Sequence, residues 1–236
     1  FIHHFSANDT NVLTPQDRLG VIPVVTVTAP PSVTPTGSIA LSTKARAVLQ
    51  KFVDVFSGVG QGSLLVLQPE LLHALEMSKT TEDKLLLDDI RDLLGIHTLS
   101  ATTQVPYNPS AIAHVGLQEL FARQLTAGED AVTALMQKSP SRDAAVLADP
   151  LNAAGATLLR DLGTRQAILT PSAQKSFDAP LDSAVAYLAK LPDGGSLSIY
   201  GTDPQYARVM ENGSLTPLER ATRISAELIV QREELS

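Results

Sequence analysis

The sequence has 236 residues, 44% of them hydrophobic and 18% charged, with no cysteine and a formal net charge of −7. A chain of this length buries roughly 70% or more of its unfolded surface without a covalent staple, and its composition is globular rather than disordered. The acidic balance, with no run of Lys or Arg, excludes the clustered positive charge that tracks nucleic-acid phosphates. The missing cysteines exclude disulfides, thiolate nucleophiles and cysteine-ligated zinc.

Residues 1–20 are polar and aperiodic and read as a tail or edge segment. Phe1–Ile2–His3–His4–Phe5 has neither the basic flank nor the apolar core of a signal peptide, and the chain reads as a piece of something longer. Residues 21–236 read as one barrel-like domain. Val21 to Thr28 is β-branched and apolar on both faces, the pattern of a buried parallel strand. The prolines of Ala29 to Gly37 mark a loop, and Ser42 stands where it caps a helix carrying Val48, Leu49, Phe52, Val53 and Phe56. The cycle repeats. Leu64–Leu67 is a strand followed by Gln68–Pro69–Glu70 and two helices, Leu71 to Met77 and Glu82 to Leu94.

A third strand is expected over His97 to Thr103, ending at Val105–Pro106–Tyr107–Asn108–Pro109. A long helical region follows, with breaks expected near Gly116 and Gly128. Ala144–Ala148 is the fourth strand, and Asp149–Pro150 opens a helix from Leu151 to Leu162. Gln166–Leu169 is the fifth strand, ending at Thr170–Pro171–Ser172. Asp182 to Leu191 reads as a helix and Pro192–Asp193–Gly194–Gly195 as a tight turn. Ser196–Tyr200 is the sixth strand, ending at Gly201–Thr202–Asp203–Pro204, and Pro217 heads a final helix to about Glu234. Strands alternating with helices predict an α/β fold with a parallel sheet and right-handed crossovers. Two architectures fit the alternation, a parallel (β/α) barrel and an open doubly wound sheet. No apolar run approaches the ~20 residues that span a bilayer.

In such folds, ligands bind at the loops after the carboxyl ends of the strands. Here those loops supply Glu70, Tyr107, Asn108, Asp149, Thr170, Ser172, Thr202 and Asp203. Asp149, Asp203 and Glu70 are the candidate catalytic carboxylates, because paired carboxylates serve as acid and base in glycoside hydrolysis. Tyr107, Asn108, Thr170, Ser172 and Thr202 are the candidate ligand-binding residues. A structural role competes with the catalytic one. Asp149–Pro150 and Asp203–Pro204 both match a helix cap followed by proline at the first helical position, and Glu70 would favour the dipole of its helix. Aromatic residues, useful for sugar stacking, make up only 4% of the chain; Tyr107, Tyr200 and Tyr206 fall near the rim. The five histidines have no metal-ligand spacing, and no metal or cofactor is expected. Gly58–Val59–Gly60–Gln61–Gly62 follows a helix rather than a strand, so it is not a dinucleotide loop.

Several segments resemble one family. Gln68–Pro69–Glu70–Leu71–Leu72, Val105–Pro106–Tyr107 with Gly116–Leu117–Gln118–Glu119–Leu120 and Gln124–Leu125, Ala148–Asp149–Pro150–Leu151, and Ala226–Glu227–Leu228 are similar in order and spacing to uncharacterised actinobacterial cell-envelope proteins. The resemblance spans roughly residues 20–235. It implies a barrel like that of the polysaccharide deacetylase and glycoside hydrolase superfamily, seven-stranded and here incomplete or trimmed, with the seventh strand beyond Ser236. It also implies an extracytoplasmic location and a glycan or an envelope protein as partner. The first strand end, Val25–Thr26–Val27–Thr28, lacks the paired aspartates of metal-dependent deacetylases, and no His-x-x-x-His pair occurs. In related glycosidases a carboxylate ends the fourth strand, the place Asp149 holds here. Two functions follow: a non-catalytic glycan- or partner-binding barrel, favoured by the scarce aromatics and the capping role, and alternatively a metal-independent, two-carboxylate enzyme acting on envelope polysaccharide.

Overall fold

The structure is a computed structural model and describes residues 2–4, 20–32, 39–57, 62–175, 177, 181–183 and 185–234. Gly58 to Gln61, and most of the proline-rich loop before Ser42, lie outside the described residues. Strand β1 (Ile2–His4) pairs antiparallel with β2 (Gly20–Ile22). The run expected as one strand over Val21 to Thr28 is divided at Pro23, which cannot donate a ladder hydrogen bond. After it β3 (Val24–Val27) pairs parallel with β4 (Leu64–Leu67), and β4 with β5 (Thr98–Leu99). A second sheet has β6 (Ala144–Leu147), β7 (Gln166–Leu169) and β9 (Ser196–Gly201) in parallel, with β8 (Tyr187–Lys190) antiparallel along the outer side of β9. A parallel bridge, Ser100 to Ser141, links the two sheets.

The parallel strands therefore follow chain order, β3-β4-β5 and then β6-β7-β9, without the reversal that defines a doubly wound sheet. Their side chains alternate between two faces. Val24, Leu64, Ala144, Val146, Ile168 and Tyr200 meet in one inner cluster, so the two sheets curve around a shared interior. No hydrogen-bonded ladder closes the ring among the described residues. The outer face of β3-β4-β5 carries Val27, Leu65, Leu67 and Leu99 into a large core. Helices α1 (Thr43–Phe56), α2 (Pro69–Met77) and α3 (Thr81–Ile96) cover it, together with Val132 and Leu135 from a later helix. Ser42 caps α1 as expected, accepting the Ala45 N–H at 3.1 Å.

Three segments depart from the sequence expectation. The third strand shortens to Thr98–Leu99, because residues 102–104 turn away to meet a helix. That helix, α5 (Gln118–Met136), runs unbroken through Gly128. A Cβ at Gly128 would lie 2.1 Å from the Thr102 carbonyl oxygen, so glycine there permits close packing rather than a break. The break near Gly116 is real: α4 (Pro109–His114) ends there and Gly116 takes φ +76°. The helix expected over Asp182 to Leu191 is instead β8. Leu191 donates to the Gly195 carbonyl at 2.9 Å across the turn that joins β8 to β9, and hairpin pairing overrides the local helical pattern. The remaining helices are α6 (Ala153–Asp161), α7 (Pro171–Gln174), α8 (Pro204–Glu211) and α9 (Pro217–Glu234). Among the described residues no helix is long and apolar enough to cross a membrane.

Candidate functional site

At the carboxyl ends of the strands the inner face changes character. Below, Val24, Leu64 and Ile168 pack against one another. Above, Thr26, Thr28, Val146 and Ala148 line a floor shared by two adjoining cavities, of about 250 and 720 Å³. The smaller is bounded by Gln68, Thr102, Tyr107, Asn108 and Asp149. The larger is bounded by Thr170, Ser172, Gln174, Lys175, Phe177 and Arg208. Together they form one cleft in the position expected for ligands of parallel α/β folds.

Asp149 is exposed and lines the smaller cavity. It does not cap the helix that follows: α6 begins at Ala153, and Asn152 caps it by accepting the Gly155 N–H at 2.8 Å. Among the described residues the Asp149 carboxylate makes no hydrogen bond or ion pair. Its backbone, by contrast, is held from both sides. Ser172 Oγ donates to the Ala148 carbonyl at 2.7 Å, while Ser110 Oγ donates to the Pro150 carbonyl at 3.1 Å and accepts the Asn152 N–H at 2.9 Å. The Asp149 carboxylate is thus exposed and unpaired on a backbone that is hydrogen-bonded on both sides.

The other expected residues divide. Tyr107, 37% exposed, and Asn108 join Asp149 in the smaller cavity, and Asn108 also caps α4 through the Ala111 N–H at 3.0 Å. Thr170 and Ser172 line the larger cavity, their hydroxyls 2.9 Å apart. Glu70, Thr202 and Asp203 line neither cavity. Glu70 is buried, with Oε1 accepting the Ser32 N–H at 3.0 Å. Thr202 is buried and donates its hydroxyl to the Leu169 carbonyl at 3.0 Å. Asp203 caps α8, accepting the Gln205 N–H at 2.7 Å with Pro204 at the first helical position, the capping role its sequence predicted. Tyr200 is half-buried in the inner cluster and Tyr206 is buried, so neither offers a stacking face.

Sequence reasoning missed Thr26, Thr28, Lys175, Phe177 and Arg208. Phe177 is 36% exposed and gives the larger cavity an aromatic face of its own. The threonines were legible as polar residues of one parity at the end of an apolar strand. The other three come from short connecting segments and a helix flank, where no pattern points to the cleft. Among the described residues no group of three or more His, Asp or Glu could hold a metal ion. His97 is buried, its ring meeting the Phe56 ring edge-on at 5.9 Å. Burial, aided by the Lys138 charge, holds its imidazole below the ordinary range.

No family model matches the chain, and no curated protein matches it by sequence. By shape it is similar to an exo-type maltose-forming amylase from Pyrococcus sp. ST04, with a TM-score of 0.53 at 11% identity over 85% of this chain and 40% of that one. A 4-alpha-glucanotransferase from Thermococcus litoralis gives 0.49 at 14% identity, over 70% of this chain and 24% of that one. The alpha-amylase AmyC from Thermotoga maritima gives 0.49 at 11% identity, over 79% and 46%. The chain thus spans less than half the length of each. The first likeness is one of fold, in agreement with the chain-ordered parallel strands.

Proposed function

We propose that this chain is a glycoside hydrolase-like, carbohydrate-active domain whose cleft holds a glycan over Thr26 and Thr28, with Asp149 as the metal-independent base or nucleophile. The carrying observation is the carboxylate of Asp149: it lies just beyond the end of the fourth parallel strand in chain order, lines the cleft, is mounted between two serine-held carbonyls and is released from capping by Asn152. Tyr107 and Phe177 supply two flat faces for sugar rings. The similar amylase fold supports the choice of carbohydrate without fixing which sugar. The proposed setting is the bacterial cell envelope, as the sequence resemblance implies.

In this reading the Asp149 carboxylate takes a proton from water attacking the anomeric carbon, or attacks that carbon itself, while the glycosidic C–O bond breaks. The departing sugar oxygen takes its proton from solvent water, the cleft lining holding no second carboxylate among the described residues to supply it. The experiment compares wild type with Asp149→Asn on a panel of oligosaccharides, following both hydrolysis and binding. Loss of a positioned base lowers turnover by about 10²–10⁴-fold, with binding kept. A second reading, a non-catalytic glycan-binding domain, is favoured by one observation: Asp149 is the single carboxylate among the described residues that line the two cavities. Tight binding without hydrolysis by the wild type would establish that reading instead.

A further inference from the structure

The two halves of the cleft are oppositely charged. Asp149 gives the smaller half its negative charge, and the cation in that lining, Arg142, is engaged as a fork by Glu129. The larger half has no carboxylate among its lining residues and carries Lys175 and Arg208. Both are exposed, and among the described residues neither side chain makes a hydrogen bond or an ion pair. Elsewhere the arginines that approach a carboxylate are occupied: Arg46 by Asp83, Arg91 by Asp88, Arg160 by Asp161 and Asp193. In a chain of net charge −7, two unengaged cations on one concave wall, beside the hydroxyls of Thr170 and Ser172, form a local reversal of the field.

Resting on the glycan-cleft reading, we propose that the larger half is an anion subsite and that the ligand is an acidic glycan, its carboxylate or phosphate ester held by Lys175 and Arg208. Arginine presents a planar fork that matches either group, and lysine adds a compact point charge. Asp149 repels the same anion, so the cleft has a polarity: the charged substituent lies toward α7 and α8, and an uncharged ring lies over Asp149 and Tyr107. Phe177 stands beside the cations to take the apolar face of the charged sugar.

The test is calorimetric titration of wild type, Lys175→Gln/Arg208→Gln and Asp149→Asn with tetragalacturonate and maltotetraose. Wild type is expected to bind tetragalacturonate at least tenfold more tightly than maltotetraose. In the double variant that preference falls about tenfold, and 1 M salt abolishes it in wild type, because exposed charges are screened there. Both replaced side chains are exposed, so the thermal transition of the double variant stays at the wild-type temperature. Equal binding of the two sugars by wild type, or an undiminished preference in the double variant, would overturn the subsite. Maltotetraose binding kept in Asp149→Asn, with its hydrolysis lost, would then keep the cleft reading alone. Binding of neither sugar overturns both. Glucose 6-phosphate and galacturonate, titrated separately, assign the anion to phosphate or carboxylate by which binds more tightly, and no advantage of either over glucose counts against the subsite.

Discussion

The half of the molecule built on β3, β4 and β5 and the half built on β6, β7 and β9 use their polar loop residues differently. In the first, four-residue β4 is buried along its whole length and its outer face joins a leucine-rich core shared by α1, α2 and α3. Its strand-end groups serve structure: Glu70 holds Ser32, Gln68 holds Ala29, and Thr102 holds the Leu67 carbonyl. In the second, the clusters behind the sheet are smaller, and Asp149, Lys175 and Arg208 stand in the cleft unengaged. The first half gives the cleft uncharged groups such as Thr26, Thr28 and Tyr107, and the second half gives it the unengaged charges.

Substitutions that break one half without the other sharpen this contrast. Leu65→Ala removes a side chain with no exposure from the first core. It should lower stability by about 3 kcal/mol in urea unfolding, more than any substitution in the cleft. Asp83→Asn is next. Arg46 forks onto this fully buried carboxylate, and the Ser78 hydroxyl donates to it. Its loss should cost about 2 kcal/mol, below the usual range for a buried pair because Arg46 keeps a third of its surface. The guanidinium, with the two neighbouring hydroxyls, holds the Asp83 carboxyl well below the usual carboxylate range. Its contribution is therefore full above about pH 4 and fades as the pH falls below that value; in Asp83→Asn that part of the acid transition should disappear.

Asp203→Ala removes the cap of α8 and should cost about 1 kcal/mol in thermal unfolding, leaving glycan binding intact. A binding defect in that variant would return Asp203 to the cleft. The smallest effect belongs to His97. Its folded imidazole titrates below the ordinary value, so the unfolded chain takes up the proton first, and stability declines as pH falls below about 6.5. His97→Leu should flatten the stability curve below about pH 6.5 while leaving the cleft unchanged.

The two Asp-Pro pairs explain what was legible in the sequence. They are alike locally, yet Pro204 starts its helix directly and makes Asp203 a cap, whereas Leu151 packs inward and delays α6 until Asn152 can cap it. The asparagine was visible; that it would win over the aspartate depended on where the chain was pinned by Ser110, a residue about forty positions away. The parallel α/β order was legible because apolar β-branched runs alternate with helical periodicity. β8 was not, since an edge strand borrows its ladder from β9 and its own residues carry little signal. The cleft's polarity was invisible for the same reason: Lys175 and Arg208 meet through the fold and share no spacing in the chain.

Amide hydrogen exchange with and without a bound acidic tetrasaccharide tests the central claim most directly. The account predicts slowed exchange at residues 146–149 and 170–175, on the two sides of the shared floor, with the α1–α3 face unchanged. Protection confined to that helical face, with the strand ends unaffected, would contradict it.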